Sequence, residues 1–111
     1  MKRDQAVRLL RAADALPEVI GINKPFHFGK PYCAIGHMLA ADGYDPAEFW
    51  DSDAPYGAFR DRFGVDPADI YLVNDRALAS FRRAADIAET ERLLRLVGHD
   101  PAALRVADGG R

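Results

Sequence analysis

Cys33 is the residue whose type and position could support covalent chemistry most directly. Pro31 predicts the start of a helix two residues earlier, which would place the Cys33 thiol in the first helical turn. A helix N-terminus stabilises a thiolate and lowers the pKa of the thiol. His37 follows one turn later and His27 lies in the preceding segment, so either imidazole could act as the base for a Cys33 nucleophile. Asp75 could orient one of the two histidines if the fold brings them together.

The same residues also fit two interpretations without catalysis. Cysteine is among the most buried residue types, so Cys33 could be a small core side chain while His37 bonds a backbone carbonyl. In a metal site, Cys33 and His37 would be ligands four residues apart on a helix, joined by His27 or His99. No CxxC or HExxH pattern accompanies them. We therefore predict neither a metal nor an organic cofactor.

A second candidate site is an aromatic and acidic segment around Trp50. Residues 42–53 contain five acidic and no basic side chains, which gives a local net charge of −5. Trp50 is followed by Asp-Ser-Asp, which predicts a turn, and an exposed tryptophan in such a setting is typical of a protein-binding patch. The alternative is a core tryptophan with a solvated acidic rim. The predicted binding residues are Tyr44, Trp50, Asp51, Asp53 and Tyr56.

Three segments share one pattern: glycine, any residue, aspartate, proline, alanine, any residue and an apolar residue. They read GYDPAEF (43–49), GVDPADI (64–70) and GHDPAAL (98–104). Glycine adopts the left-handed conformation that follows a helix, aspartate caps the next helix, and proline fits its first position. A metal site built from the three aspartates is the alternative, but each carboxylate already has this local role. The pattern therefore predicts three corners between helices.

The first third of the chain predicts two helices and a long loop. Residues 2–16 carry an apolar stripe with helical spacing, and residues 31–42 are apolar nearly all round, which is typical of a buried central helix. Between them, prolines and glycines interrupt residues 17–31. Long loops in compact domains carry function more often than short ones, so this segment is also of functional interest.

Asn74 and Ser80 predict helix boundaries in the second half of the chain. Asn74 would end a short helix that begins at Pro67, with Asp75 starting the next turn, and Ser80 would cap a long helix that reaches Val97. The apolar stripe of that helix would begin with Phe81, Ala84, Ala85 and Ala88.

Together these elements predict a mainly α fold without strands. We expect a single compact domain over residues 1–107, with five or six mostly short helices joined by Gly-x-Asp-Pro corners. A frayed C-terminal tail would occupy residues 108–111, where two glycines precede the last arginine.

Composition narrows the classes of protein to which the chain could belong. It has 111 residues, 49% of them hydrophobic, and a net charge of −2. It lacks the strongly basic character of dedicated nucleic-acid binders, which argues against direct nucleic-acid binding. No apolar run approaches the roughly 18 residues that span a bilayer, and the N-terminal residues do not form a secretory signal. The single cysteine and the lack of a targeting signal predict a cytoplasmic protein, whose oligomeric state stays open.

Three short motifs resemble a set of small, functionally uncharacterised proteins from phages and bacteria. The matching pieces read CAIG (33–36), LVND (72–75) and SFRRAADIAE (80–89), within residues 32–92, about half of the chain. Many of those proteins have a second cysteine, and the LVND spacing also differs. The resemblance implies a phage- or prophage-associated context and no particular reaction.

Two functions of different classes remain open at this stage. The first is a small helical binding or regulatory protein that acts through a macromolecular partner, with another protein as the expected partner and without contact with a membrane. The alternative is a cysteine-dependent hydrolase or transferase, with Cys33 as nucleophile and His37, His27 and Asp75 as its other catalytic residues.

Overall fold

The computed structural model describes residues 1–109, and within them the chain contains six α-helices, two short 3₁₀ turns and no β-strand. This confirms the predicted mainly α fold. No helix in this part of the chain is both long and apolar enough to cross a bilayer. The α-helices are α1 (Arg3–Asp14), α2 (Ala34–Ala41), α3 (Ala54–Phe63), α4 (Pro67–Arg76), α5 (Arg82–Leu96) and α6 (Pro101–Gly109), and the 3₁₀ turns are Pro46–Glu48 and Ala79–Phe81.

Helix α2 is the central element, as its nearly uniform apolar composition predicts. It packs against α1, α3 and α4, and five of its eight residues are buried. Fully buried aromatic rings from the long loop and from α3 complete the same core. They belong to Phe26, Phe59 and Phe63. The hydrophobic core is therefore built around α2.

The three predicted corners are confirmed. In each, the glycine has a positive φ, between 70° and 92°, and the aspartate carboxylate accepts a hydrogen bond of 3.0 Å from the backbone N–H two residues later. Each aspartate therefore satisfies one of the donors left open at a helix start. The glycines are Gly43, Gly64 and Gly98, and the aspartates are Asp45, Asp66 and Asp100.

Removing the aspartate cap of a helix should lower the stability of the fold. We expect Asp66→Ala, at the start of α4, and Asp100→Ala, at the start of α6, each to lower the free energy of unfolding by about 0.5–2 kcal/mol. Asp45→Ala should fall at the low end, because its 3₁₀ turn has only three residues. Urea unfolding measures the effect, and Asp61→Ala, an exposed acid within α3, is the control. Equal losses for Asp61→Ala and Asp66→Ala would contradict the capping role.

Helix α2 starts later than the sequence pattern predicts, and this changes the position of Cys33. Pro31 does not open the helix, because the carbonyl oxygen of Tyr32 accepts a hydrogen bond of 2.7 Å from the N–H of Gly21 in the long loop. That contact keeps residues 31–32 outside the helix, which begins at Ala34. Cys33 is therefore the residue before the first turn and not within it.

Two other predicted boundaries are wrong for related reasons. Asn74 does not end α4: it is buried inside the helix, which continues to Arg76, since its side chain bonds the long loop instead of capping its own backbone. Ser80 does not cap α5, because a 3₁₀ turn closes there, with the N–H of Phe81 donating to Leu78. At the other end, α6 continues to Gly109, and residues 110–111 of the predicted tail lie outside the described residues.

Candidate functional site

The long loop (residues 15–33) joins α1 to α2 with neither helix nor strand, yet side chains of two other helices hold its backbone. From α5, Arg83 and Arg82 donate hydrogen bonds of 2.8 and 2.9 Å to loop carbonyl oxygens. From α4, the buried Asn74 amide donates to a third at 3.0 Å. The carbonyl oxygens that these side chains hold are those of Leu16, Ile20 and Gly21.

Two further contacts hold the middle of the loop. The Tyr56 hydroxyl of α3 donates to the carbonyl oxygen of Asn23 at 3.1 Å, and the backbone N–H of Asp51 donates to Phe26 at 2.7 Å. An irregular segment has few hydrogen bonds of its own, so its polar backbone groups depend on such partners. Donors from α3, α4, α5 and the turn before α3 thus fix a segment that would otherwise be free to move.

Two glycines allow close backbone contacts of the loop, one with α2 and one between two parts of the loop itself. A Cβ atom on Gly36 of α2 would lie 1.9 Å from the carbonyl oxygen of Pro25, and one on Gly21 would lie 2.2 Å from that of Pro31. Carbon and oxygen atoms in contact cannot approach so closely, so only glycine fits at these two positions. Gly36 therefore lets the loop pack directly on α2.

Although its backbone is fixed, the loop exposes apolar side chains. Val19 is 66% exposed and Phe28 69%, and Trp50 is 39% exposed beside Phe28. The Phe28 and Trp50 rings meet edge to face with centroids 5.5 Å apart, and Tyr32 lies 6.0 Å from Trp50. We call Phe28, Tyr32 and Trp50 the aromatic patch. Phe28 was not among the predicted binding residues, although an aromatic residue beside Gly29 in a long loop was the available signal.

The five predicted binding residues do not form one surface. Tyr44 packs inward: its ring stacks on Phe26 with centroids 5.8 Å apart and lies 4.7 Å from Phe49. Tyr56 holds the loop through its hydroxyl, with its ring 5.5 Å from Tyr71. Of the predicted aromatic residues, only Trp50 belongs to the aromatic patch.

Three of the five acidic side chains of the segment lie near basic groups. Asp53 lies 2.7 Å from the Lys24 ammonium, and Asp51 lies 3.7 Å from the His27 imidazole. Asp42 pairs with two arginines, one from α1 and one from α3. The local charge of −5 is therefore partly compensated in the folded protein, by Lys24 and the two arginines.

Cys33 is completely buried, which gives it the environment of a core residue. Burial raises the pKa of the thiol to about 11, and the backbone N–H groups of Ile35 and Gly36 only partly oppose this effect. A thiol with this pKa is protonated at neutral pH, whereas the thiolate is the nucleophile. The geometry thus offers little support for a Cys33 nucleophile.

The other proposed catalytic residues, His37, His27 and Asp75, have separate environments and do not form a catalytic group with Cys33. Burial lowers the pKa of His37, and an interaction with the backbone of Val19 partly opposes the shift. His27 is at the surface beside Asp51. The Asp75 carboxylate accepts from the Asn74 amide at 3.1 Å and from a loop N–H at 3.4 Å, so it supports the loop and not a histidine. Among the residues that the structure describes, no three or more His, Cys, Asp or Glu side chains are grouped to hold a metal.

A buried polar cluster beneath the loop was not foreseen. Asp86 of α5 is fully buried. Neither of its carboxylate oxygens has a hydrogen-bond partner in the described part of the chain, and Arg82, one turn away, does not bond it either. The Nε of Arg82 and the Oδ1 of Asn74 are also buried and without a partner there. Arg82 and Asn74 are also the side chains that hold the carbonyl oxygens of Ile20 and Gly21.

Stability should depend on pH through Asp86. Burial raises the pKa of this carboxyl from 3.8 to about 7; Arg82 lowers it and Asp75 raises it. The folded state therefore binds a proton that the unfolded state releases, and the stabilisation present at low pH is lost as pH rises through 7. Between pH 5 and pH 8 the free energy of unfolding of the wild type should fall by about 2–3 kcal/mol more than that of Asp86→Asn, as measured by urea unfolding. Parallel pH profiles for the two proteins would contradict this role.

No protein-family model, curated protein or solved structure shows significant similarity to the chain. The functional argument therefore depends on the geometry of this loop and the groups that hold it.

Proposed function

We propose that the protein is a small helical binding or regulatory protein that acts through a protein partner, with the long loop as its contact surface. The observation that carries this proposal is the combination of a backbone held at five carbonyl oxygens with apolar side chains left exposed. A segment stabilised only for folding would direct such side chains inward, because burying them is favourable.

A fixed loop is suited to binding because its ordering cost is already met when the protein folds. Association otherwise loses free energy for each segment that must become ordered. Aromatic residues dominate the energetic centres of protein interfaces, and Trp50 and Phe28 present two rings side by side. Clustered exposed apolar side chains are typical of interaction sites in soluble proteins.

The other classes of function have less support. The chain has a net charge of −2, which does not favour nucleic acid. The enzyme alternative would need a reactive thiol, whereas Cys33 is buried with a raised pKa. We propose a phage- or prophage-associated setting on the basis of the sequence resemblance, and a cytoplasmic one because the chain has a single cysteine.

Site-specific photo-crosslinking tests the proposal even though the partner is not identified. A benzophenone amino acid replaces Phe28 in one protein and Leu96, at the end of α5, in the other, and both are expressed in cells of the source organism. The two side chains have the same exposed fraction, 69%, so they are equally accessible. We expect a discrete adduct with one protein from position 28 and none of that mass from position 96.

Two further variants distinguish a specific contact from non-specific binding. Trp50→Ala, combined with the crosslinker at position 28, should reduce the adduct about tenfold if the aromatic patch is the contact. Val106→Ala removes a similarly exposed apolar side chain from α6 and should leave the adduct unchanged. Identical adducts from positions 28 and 96, or none from either, would refute the proposal.

A further inference from the structure

A groove of about 410 Å³ lies between the long loop and the segment that leads into α5. Its walls include Val19 and Ile22 from the loop and Ala79 from the 3₁₀ turn. On either side of Ala79 in the sequence, the large side chains of Leu78 and Phe81 are 71% and 62% exposed. Much of the groove wall is therefore apolar.

The charged residues of this groove all have the same sign. Lys30 and Arg82 line it together with the His27 imidazole, and no carboxylate does so among the described residues. Arg82 donates one hydrogen bond to Ile20 through Nη1, and its Nη2 forms none with the described residues. A guanidinium has five N–H donors, so this group retains capacity to bind an anion.

The charge of Arg82 is only weakly compensated from within the protein. Asp86 is the nearest acid on its own helix, yet it forms no hydrogen bond with Arg82, and burial raises the pKa of Asp86 to about 7. Near neutral pH this carboxyl is therefore protonated in a large fraction of molecules. Asp75, on α4, bonds Asn74 and the loop instead. The groove thus presents unmatched positive charge beside apolar walls.

We infer that this groove binds an extended segment of a partner protein in which apolar side chains are flanked by glutamate or aspartate. The inference rests on the proposed function and names the chemistry of the partner. Apolar side chains of the segment would contact Val19 and Ile22, while its carboxylates would face Lys30 and Arg82. Charge complementarity of this kind fixes the register of a bound segment and excludes basic competitors.

A nucleic-acid strand is the other anionic occupant to consider, and the groove is poorly suited to it. Single strands are bound by aromatic platforms on which bases stack along a basic channel. Here the walls are aliphatic, and Lys30 and Arg82 are the only formally cationic residues that line the groove in the described structure. The aliphatic walls favour the acidic and apolar peptide.

Fluorescence anisotropy with purified protein and defined peptides tests this inference. One labelled peptide carries leucines flanked by glutamates, and the comparison peptide carries the same leucines flanked by lysines. The wild-type protein should bind the glutamate peptide at least roughly tenfold more tightly than the lysine peptide. A labelled single-stranded oligonucleotide serves as the nucleic-acid comparison.

Surface variants localise the binding to the groove. Lys30→Glu and Val19→Asp change exposed side chains and should each weaken binding of the glutamate peptide about tenfold. Arg95→Glu, on the exposed last turn of α5, makes the same change in net charge as Lys30→Glu and should leave the affinity within about twofold. Arg82 is not replaced, because it also holds the loop.

The results distinguish a failure of the groove inference from a failure of the proposed function. No measurable binding, equal binding of both peptides, preferential binding of the oligonucleotide, or equal effects of Lys30→Glu and Arg95→Glu would each overturn the inference. A partner that crosslinks at position 28 despite such a result would leave the proposed function intact. Peptide binding at the groove without any crosslinked partner would instead refute the proposed function alone.

Discussion

Gly36→Ala should lower the free energy of unfolding by about 3 kcal/mol, at the upper end of the range for overpacking. The added Cβ would lie 1.9 Å from the carbonyl oxygen of Pro25 and 2.6 Å from its carbonyl carbon. Because both are backbone atoms, no side-chain rotation can relieve the clash, and the long loop must move away from α2. Urea unfolding measures the loss, and chymotrypsin cleavage after the exposed Phe28 should become faster as the loop is released.

Gly57→Ala is the matched control, since Gly57 is also inside a helix, α3. A Cβ there meets no atom within 4 Å in the described structure, so the substitution acts only through the higher helix propensity of alanine over glycine. The free energy of unfolding of Gly57→Ala should rise by about 0.5–1 kcal/mol. If the two alanine variants changed stability in the same direction and by similar amounts, the close seat of the loop on α2 would be wrong.

Cys33 should react with iodoacetamide more than about 100-fold more slowly in the native protein than in urea at the same pH. Its pKa of about 11 leaves far less thiolate at pH 7.5 than the value near 8.5 expected for an unfolded chain. Complete burial of the side chain slows the reaction further, because reagent must wait for the structure to open. The measurement is the alkylation rate by mass spectrometry, with glutathione as the reference thiol.

The same experiment tests the enzyme alternative directly. A nucleophilic cysteine would react rapidly near neutral pH, with an apparent pKa below about 8.5. That outcome would require Cys33 to be accessible and would restore His37 or His27 as a candidate base. A slow reaction that accelerates only with denaturant agrees with a structural thiol in the core.

The three corners were predictable because their signals are local. Glycine, aspartate and proline each act on the backbone within a few residues, so their order alone predicts where one helix ends and the next begins. The buried position of α2 follows equally from its own composition. None of these features depends on what lies across the fold.

The candidate site was not predictable in the same way, because it depends on contacts between distant segments. The predicted start of the apolar stripe of α5 is wrong: Phe81 and Ala84 are exposed, whereas Asp86 and Thr90 are buried. The long loop packs against α5 and is held by its arginines, which places polar side chains on the inner side of that helix. Asn74 illustrates the same effect, since its amide is used by a loop residue more than fifty positions earlier.

The central claim is that the long loop is a fixed binding surface, and amide hydrogen exchange at Gly21 tests it most directly. The N–H of Gly21 donates to Tyr32 at 2.7 Å, and that of Asp51 donates to Phe26 at 2.7 Å. Both amides should exchange more than about 100-fold more slowly than in an unstructured peptide, and Gly36→Ala should abolish the protection of Gly21. Exchange of Gly21 at the unprotected rate in the wild type, while the helices remain protected, would contradict the account.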